Sequence, residues 1–339
     1  VKPKSVLLET CAVSAYRRRM PELPEVHTTA TMLGKLVVGR TIADVWTDYN
    51  SPHYAGKDNI KNPEFFATFR KTLIGARITK THRRGKNVLI NIEGGGAGKK
   101  TGSRGVERHT IIVHMKMTGH LLYGKYRQIG TGKKVSWEAL SPEALKDPFS
   151  RFVHMMISFA DGTHLALADV RKFAKVTVVP TASAHESEHL SDIGPEPLDS
   201  TFIFHLFHER LLTRLTGKIK LVLMDPAVLA GIGNIYSDEI LWAASVHPAS
   251  TVSKVPLAKM KEIYRKSKEI LKKGISFGGD STSDYRNPMG ERGAFHYHHH
   301  AYRNTSKPCE RRGCKGTIRR LAMGGRGAHF CDTHQKLFR

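Results

Sequence analysis

The sequence predicts an α+β protein with an antiparallel β-sheet region, a helical region and a C-terminal β-hairpin that binds a metal. Short β-branched runs occupy residues 41–179, helix-like apolar spacing follows over 201–273, and Cys and His residues cluster near the carboxyl end. Consecutive strands without helices between them favour an antiparallel sandwich or barrel over a parallel sheet. The three regions follow one another along the chain, so the α+β class is preferred to an alternating α/β class.

One helix and six strands are predicted in the first half of the chain. In the helix, over residues 24–38, apolar residues from Val26 to Val37 recur at three- or four-residue spacing. Asp161 and Gly162 mark a hairpin turn, because this pair adopts positive φ readily. The strand segments are 41–46, 77–82, 87–92, 110–115, 152–159 and 174–179.

Loop and linker segments are indicated by composition. Residues 94–108 are rich in Gly, Lys and Arg, and residues 127–149 are polar with prolines, so both are predicted as loops. Residues 181–200 have the composition of a linker. Four helices are then predicted, over 201–215, 220–229, 234–244 and 256–273.

The charge of the chain indicates a polyanionic partner. Among 339 residues there are 54 Lys and Arg against 30 Asp and Glu, a net charge of +24. Double-stranded DNA or RNA fits best, because neutralised phosphates release condensed counterions. A ribosome-associated or merely basic protein is the alternative. No apolar run approaches the ~18 residues of a membrane span, and no convincing signal peptide is present, so we expect an intracellular protein without a membrane partner.

Four residues near the carboxyl end have the spacing of a metal site. Cys309, Cys314, Cys331 and His334 form C-x4-C-x16-C-x2-H, in which two ligand pairs flank a short apolar stretch. This pattern is typical of a β-hairpin zinc finger, and four protein ligands make one structural Zn2+ the expected cofactor. Four scattered residues are the alternative. The histidine-rich residues 296–300 are predicted instead as an extended, solvated patch that faces a phosphate.

A glycine-rich turn precedes the helix predicted over 234–244. Gly231 and Gly233 permit positive φ and close backbone approach, and Asn234 stands at the helix start. Exposed amides at such a helix N-terminus would bind a phosphate. A plain turn between core helices is the alternative.

These motifs together resemble the formamidopyrimidine-DNA glycosylase/endonuclease VIII family. "MPELPEV" is similar to the family's amino terminus, and "GIGNIYSDEILW" is similar to its helix–two-turn–helix motif. "RRGKNVLI", "VHMKMTGHL", "DVRKFA" and "IGPEPL" match further family blocks in order, so the resemblance extends from Met20 to Gln335. The first zinc pair has four intervening residues where the family usually has two, and His334 replaces a Cys.

The resemblance implies a division of the chain and an architecture. An N-terminal β-sandwich, a helix–two-turn–helix domain and a zinc finger would hold DNA in the cleft between the first two. The implied boundaries are an extension at 1–19, a catalytic β-sandwich with its helix at 20–180, a linker at 181–200, the helical domain with a lesion-capping loop at 201–295, and the zinc finger at 296–339. Residues 278–295 resemble that capping loop.

The family's nucleophile is an amino-terminal proline, which corresponds to Pro21. Its secondary amine attacks C1′ of the damaged nucleotide. A peptide nitrogen inside a chain has no available lone pair, so Pro21 preceded by other residues would be inert. We therefore expect Val1–Arg19 to be an artefact of start-site assignment or to be removed. The alternative is a genuine extension on an inactive relative.

Three further residues are implied in catalysis. Glu22 is the general acid/base candidate beside the nucleophile, although a carboxylate there also suits a helix N-terminus, as Glu25 would. Lys86 matches the lysine that contacts the lesion phosphate and assists elimination. Arg326 matches the zinc-finger arginine that binds the lesion phosphate and assists the second elimination.

Five residues are implied in DNA binding. Met117, Arg171 and Phe173 match the trio that fills the gap left by the extruded nucleotide, which suits an apolar wedge, a cation and an aromatic ring. Lys220 and Asn234 match phosphate and lesion-site contacts of the helical domain.

The sequence therefore predicts a DNA glycosylase and abasic-site lyase of base-excision repair. Through a Pro21 imine it would excise oxidised purines, such as 8-oxoguanine and formamidopyrimidines, and cut the strand by β,δ-elimination. The expected partner is double-stranded DNA with oxidised bases or abasic sites, bound by a monomer in the cytoplasm at the nucleoid. Excision of oxidised pyrimidines and a catalytically inactive damage-binding protein are the alternatives.

Overall fold

A computed structural model describes residues 20–96, 106–282 and 284–339. The proposed extension 1–19 and most of the predicted loop 94–108 lie outside these ranges. The helices are α1 Leu23–Leu36, α2 Pro63–Leu73, α3 Phe204–Leu212, α4 Ile219–Met224, α5 Asn234–Ala244 and α6 Leu257–Ser276. The strands are β1 Ile42–Thr47, β2 Arg77–Arg84, β3 Asn87–Glu93, β4 Arg108–His114, β5 Gly119–Ile129, β6 Ser136–Ser141, β7 Val153–Phe159, β8 His164–Asp169, β9 Lys175–Pro180, β10 Ile318–Met323 and β11 Arg326–Cys331.

Two antiparallel sheets form the amino-terminal half of the protein. One has the strand order β1-β7-β8-β5-β6, and the other has the order β2-β3-β4-β9. Their facing side chains share one core, to which Val45 and Leu121 contribute from the first sheet and Ile90 and Val113 from the second. The predicted antiparallel β-sandwich is confirmed.

Residues 127–149 do not form the predicted loop. Strand β5 continues to Ile129, and β6 pairs with it along the edge of the five-stranded sheet. Trp137 of β6 packs edge-on against Trp46, with 5.9 Å between ring centroids, and helps to cover the outer face of that sheet. The composition misled because β6 is an edge strand with only one covered face, so most of its residues are polar.

Helices α3–α6 share a second core. It contains Phe207, Ile240 and Leu271, and Leu23 at the start of α1 also belongs to it. Helix α4 ends at Met224, five residues before its predicted end, because Asp225 precedes a proline and takes an extended conformation. Within the described ranges, none of the helices combines the length and apolar character needed to cross a bilayer.

Helix α1 lies between the two halves. It packs against β2 on one side and against α6 on the other. Val26 and Leu33 point into the sandwich core, whereas Leu23 joins the helical core. The amino-terminal end of α1 is therefore located where the two halves meet.

The histidine-rich segment 296–300 is not the extended, solvated patch that was predicted. Phe295–His298 form a short 3-10 helix. His299 is buried, with its Nε2 2.7 Å from Oδ2 of Asp280, and the ring of His300 stacks on Trp242 at 4.3 Å between centroids. Partners distant in sequence hold these rings, and the local pattern of histidines does not reveal them.

Candidate active site

A cavity of about 270 Å3 opens where the sandwich, the helical region and the β10–β11 hairpin meet. Met20 lines it, and Pro21, the next residue, is buried. Side chains that are far apart in sequence converge here. Five of the predicted site residues line the cavity: Glu22, Lys86, Met117, Asn234 and Arg326.

Glu22 lies at the amino-terminal end of α5. Its carboxylate accepts hydrogen bonds from the backbone N–H of Ile235 at 2.9 Å and of Tyr236 at 3.3 Å. A Cβ on Gly233 would lie 2.3 Å from Cδ of Glu22, so the carboxylate reaches these amides only because residue 233 has no side chain. The predicted phosphate-binding role is wrong for these two amides, because a buried carboxylate already occupies them. Gly231 does adopt positive φ, at +83°.

The environments of Glu22 and Lys86 favour proton transfer. Burial raises the pKa of Glu22, against the opposing effects of the Lys86 charge and the amides of Ile235 and Tyr236. Burial shifts the pKa of Lys86 in the other direction, downwards, and the negative charge of Glu22 opposes this shift. Both groups are thereby shifted towards the range in which a side chain gives or takes a proton near neutral pH.

Glu25 accepts a hydrogen bond from the backbone of Glu22 and helps to fix its position, a role that the sequence did not indicate. The backbone N–H of Glu22 donates to Oε2 of Glu25 at 2.7 Å, and Oε1 accepts from Tyr236 Oη at 2.8 Å and from the N–H of Asp280 at 2.7 Å. Burial, with the charges of Glu22 and Asp280, raises the pKa of Glu25 to about 8. The E-x-x-E spacing indicated only a helix N-terminal charge, whereas the distant partners depend on the tertiary fold.

Lys86 stands on the two-residue turn between β2 and β3. Gly85 adopts φ +56° there, and its N–H donates to Oε1 of Glu196 at 2.6 Å. The same carboxylate binds Arg83 at 2.6 Å and Arg84 at 3.2 Å. Glu196 therefore fixes the turn that carries Lys86. Its block "IGPEPL" was noted in the sequence, but no role was assigned to this residue.

Met117, Arg171 and Phe173 come together on adjacent turns. Arg171 Nη1 lies 3.6 Å from Sδ of Met117, and the guanidinium carbon lies 4.4 Å from the Phe173 ring centroid. Phe173 is 43% exposed, so its ring is accessible from solvent. Asp169 is buried beneath the trio, bonds to Thr118 Oγ1 and accepts from the N–H of Ala174 at 2.7 Å, so it organises both turns.

Lys220 does not face the cavity. Its buried Nζ donates to Asp238 Oδ1 at 2.6 Å, to Ser237 Oγ at 3.0 Å and to the carbonyl of Asn234 at 3.2 Å. All three protons have acceptors, so the geometry gives Lys220 a structural role in α5 in place of the predicted DNA contact. Asn234 does line the cavity, and in the part of the chain that the structure describes its buried Oδ1 has no hydrogen-bond partner.

Two family models match the chain. The formamidopyrimidine-DNA glycosylase N-terminal domain matches residues 20–176, and the formamidopyrimidine-DNA glycosylase H2TH domain matches residues 193–286. The chain belongs to the formamidopyrimidine-DNA glycosylase family. The family resemblance seen in its motifs is therefore confirmed.

Individual relatives are similar over nearly their whole length. The formamidopyrimidine-DNA glycosylase of Oceanobacillus iheyensis is 32% identical over 316 residues, which cover 93% of this chain and 98% of that protein. The Lactococcus lactis Fpg, solved with DNA containing an abasic site, is 29% identical with a TM-score of 0.73, over 93% of this chain and 99% of that one. MutM, solved with DNA containing carbocyclic 8-oxo-G, is 29% identical with a TM-score of 0.72, over 93% and 100%.

The predicted zinc ligands of this family member also converge. One ligand atom from each of Cys309, Cys314, Cys331 and His334 lies within 4.8 Å of the others. The Sγ atoms of Cys314 and Cys331 are 3.6 Å apart, and Nδ1 of His334 is 3.4 Å from Sγ of Cys309. A tetrahedron with Zn–S bonds of ~2.3 Å has edges of roughly 3.8 Å, so this donor set fits a tetrahedral metal ion.

The surroundings of the cluster favour metal binding through Nδ1 of His334. Nε2 of the same ring lies 3.1 Å from the carbonyl of Trp242, which orients the imidazole as a second hydrogen bond commonly does for metal ligands. Backbone N–H groups of Gly316 and Thr333 point at the sulfur atoms of Cys314 and Cys331, each at 3.4 Å. The β10–β11 hairpin joins the two ligand pairs and carries Arg326 at its turn.

Proposed function

We propose that this protein is a bifunctional DNA glycosylase and abasic-site lyase that excises oxidised purines from double-stranded DNA. The proposal has Pro21 as the nucleophile, with Met20 and everything before it absent from the working enzyme. Its substrate would be bound by a single chain. Repair of oxidised bases is the role that follows from this chemistry.

A single observation supports the proposal most strongly. Glu22, Lys86 and Arg326 line the same cavity as Met20, the residue bonded to the Pro21 nitrogen, so an acid/base group and two cations share the cavity to which that nitrogen is joined. An anionic sugar–phosphate backbone suits the two cations, and the net charge of +24 suits a nucleic acid as a whole. The relatives solved with abasic-site DNA and with 8-oxo-G DNA support the same class of substrate.

The proposed chemistry begins with attack by the free amine of Pro21 on C1′ of the damaged nucleotide. The N–C1′ bond forms and the amine loses its proton, while the N-glycosidic bond breaks and the departing base takes up a proton. Glu22, whose pKa is raised, donates a proton to the ring oxygen as the sugar opens to an iminium ion. The iminium nitrogen withdraws electrons, so the C2′ proton is lost and the 3′-phosphate leaves by β-elimination; loss of the 5′-phosphate by δ-elimination follows.

The remaining residues hold the substrate in this scheme. Lys86 and Arg326 bind the phosphate of the damaged nucleotide and stabilise the developing charge of the leaving group. Met117, Arg171 and Phe173 occupy the space that the extruded nucleotide leaves in the duplex, which offsets part of the unstacking cost of a few kcal/mol. Asn234 lines the cavity from the start of α5, and among the described residues its Oδ1 has no protein partner. In this scheme it contacts the DNA.

One Zn2+ is proposed at the cluster of Cys309, Cys314, Cys331 and His334. With four protein ligands the ion has no open position for water, so its contribution is structural. It would hold the β10–β11 hairpin and hence the turn from which Arg326 reaches the cavity.

Borohydride trapping tests the proposal. A chain that begins at Pro21 after removal of Met20 is incubated with duplex DNA containing 8-oxoguanine opposite cytosine or an abasic site, and a covalent protein–DNA adduct is expected with both. The adduct should be absent in the chain that retains residues 1–19, because the nitrogen of residue 21 is then an amide without an available lone pair. Nicking of thymine glycol opposite adenine in preference to 8-oxoguanine would indicate the pyrimidine branch, and DNA binding without any adduct would indicate an inactive damage-binding protein.

A further inference from the structure

Residues 278–295, the segment that resembles the family's lesion-capping loop, leave the helical region and return to it. We name this segment the strap. At its base, Asp280 forms an antiparallel bridge with Ala294, and the buried Phe295 ring stacks on Tyr236 with 5.0 Å between centroids. Ser283 is the one strap residue outside the described ranges. Both ends of the strap are thus fixed in the helical core.

The tip of the strap lies on the β-sandwich. The carbonyl of Pro288 accepts a hydrogen bond from the N–H of Tyr123 at 2.7 Å, and Met289 packs against the sandwich core. Gly290 has φ +86° and lies against the backbone of Ala144, which a Cβ would approach to 2.6 Å. The tip is therefore fitted closely to a surface of the other half of the protein.

A buried ion pair fastens the tip. Arg286 Nε and Nη2 lie 3.0 and 2.8 Å from Oδ2 of Asp147, and the Arg286 side chain is only 1% exposed. The ring of Phe149 lies 5.4 Å from the guanidinium carbon. Asp147 belongs to the segment 127–149, for which the sequence offered no function.

The middle of the strap contacts the residue that orients Glu22. Tyr285 Oη donates to the carbonyl of Glu25 at 2.9 Å, and the N–H of Asp280 donates to Oε1 of Glu25. The other carboxylate oxygen of Glu25 accepts from the N–H of Glu22. A continuous series of hydrogen bonds therefore runs from the strap to the cavity.

We infer that Asp147 and Arg286 are positioning residues, which hold the strap against the sandwich so that Glu25 keeps Glu22 in place at the cavity. The inference rests on the proposed function for the reaction that Glu22 serves. Asp147 accepts from two nitrogens of the buried guanidinium, and these two hydrogen bonds join the strap to the segment 127–149, so removal of either partner weakens the hold on the tip. Glu22 then loses a constraint on its position, and displacement of an acid by a fraction of an ångström slows the step that it assists.

Four variants separate positioning from stability. Asp147→Asn and Arg286→Met each break the pair, and the double variant Asp147→Asn/Arg286→Met removes both charges so that none is left uncompensated. Arg127→Ala is the matched control, because its ion pair with Glu138 lies in the same segment but is exposed. Each variant is examined by trypsin cleavage after the exposed Arg292, by thermal unfolding, and by single-turnover excision of 8-oxoguanine at saturating enzyme.

The single variants are expected to be cleaved after Arg292 and to excise the base roughly tenfold more slowly, with DNA affinity changed less than about threefold. The double variant should regain thermal stability but remain protease-sensitive and slow, and Arg127→Ala should behave as the parent protein. Equal protease resistance in all variants, or an excision rate that recovers together with the melting temperature, would overturn the inference. If the parent protein excises nothing, the proposed function fails, while the protease result still decides whether the ion pair holds the strap.

Discussion

Glu22 and Arg326 line the same cavity but are held in opposite ways. Glu22 is buried, and its carboxylate and backbone take part in hydrogen bonds to two helices. Arg326 is exposed at the turn of the β10–β11 hairpin, and within the described residues its guanidinium has no hydrogen-bond partner. In the proposed reaction, the protein alone therefore fixes the acid Glu22, whereas Arg326 acquires a partner only when the DNA phosphate binds.

The largest effect is expected from Glu22→Gln, which keeps the shape of the acid and removes its proton. Excision of 8-oxoguanine should fall by about 10³-fold, because a positioned general acid contributes on that scale. Binding to the same duplex should change little, since Glu22 faces two protein amides. Single-turnover kinetics and fluorescence anisotropy measure the two quantities. Exposed Glu143→Gln is the control, and excision at the parent rate in Glu22→Gln would remove Glu22 from the mechanism.

Gly233→Ala tests whether the fixed position of Glu22 matters. The new methyl group would meet the Glu22 side chain at 2.3–2.7 Å, although the backbone of Gly233, at φ −134°, accommodates alanine without strain. A displacement near 1 Å should lower the excision rate by roughly 10²-fold. Gly34→Ala is the matched control in α1, where the new Cβ only approaches Thr81 Oγ1 to 3.1 Å. Equal rates in the two variants would show that the contact between Glu22 and α5 is dispensable.

Removal of the metal tests the role of Arg326, the exposed residue of the pair compared above. With Zn2+ at the cluster and Arg326 on the DNA phosphate, as proposed, Cys331→Ser or treatment with a chelator should loosen the hairpin and withdraw Arg326 from that phosphate. A charge-assisted contact is worth about 1.5–3 kcal/mol, so affinity for abasic-site DNA should weaken roughly 10- to 100-fold. Arg326→Ala should reproduce most of this loss while retaining one zinc per chain by elemental analysis. Full affinity in a zinc-free protein would separate the hairpin from DNA binding.

The smallest effect is expected at the trio. Met117→Ala should reduce excision from a paired duplex by about tenfold or less, because it removes one of several groups that fill the vacated space. The reduction should shrink when the lesion lies in an unpaired bubble, where less stacking is lost. Leu140→Ala, which truncates an exposed apolar side chain on β6, serves as the control. An equal loss on both substrates would assign Met117 to the cavity wall alone.

The elements with a strong local signal were predictable. Helix α5 begins and ends at the predicted residues 234 and 244, and the six predicted strands all occur within two residues of their expected starts. Helix α2 and strands β5, β6 and β8 were not predicted. Strand β6 has a mixed composition, which hides its pattern. Helix α2 does carry a local signal, because Phe65, Phe69 and Leu73 recur every four residues after the cap Asn62, and the sequence analysis overlooked it.

The site was predictable as a set of residues but not as a set of contacts. The family motifs pointed to Glu22, Lys86 and Arg326, which do meet at one cavity. The hydrogen bonds from the α5 amides to Glu22 join residues more than 200 positions apart, and no periodic pattern in the sequence predicts such a pairing. The burial of Lys220 was missed for the same reason, because its three acceptors depend on the packing of α4 against α5.

Glu22 caps α1 while its carboxylate lies against the first turn of α5. The amino-terminal ends of helices α1 and α5 therefore meet at Glu22, and Pro21 is joined to Glu22 by a single planar peptide bond. Inserting even one amino acid between Pro21 and Glu22 would bring a different nitrogen to the mouth of the cavity. In the proposed reaction, the two helices behind Glu22 therefore set how far the reacting nitrogen can stand from it along the chain.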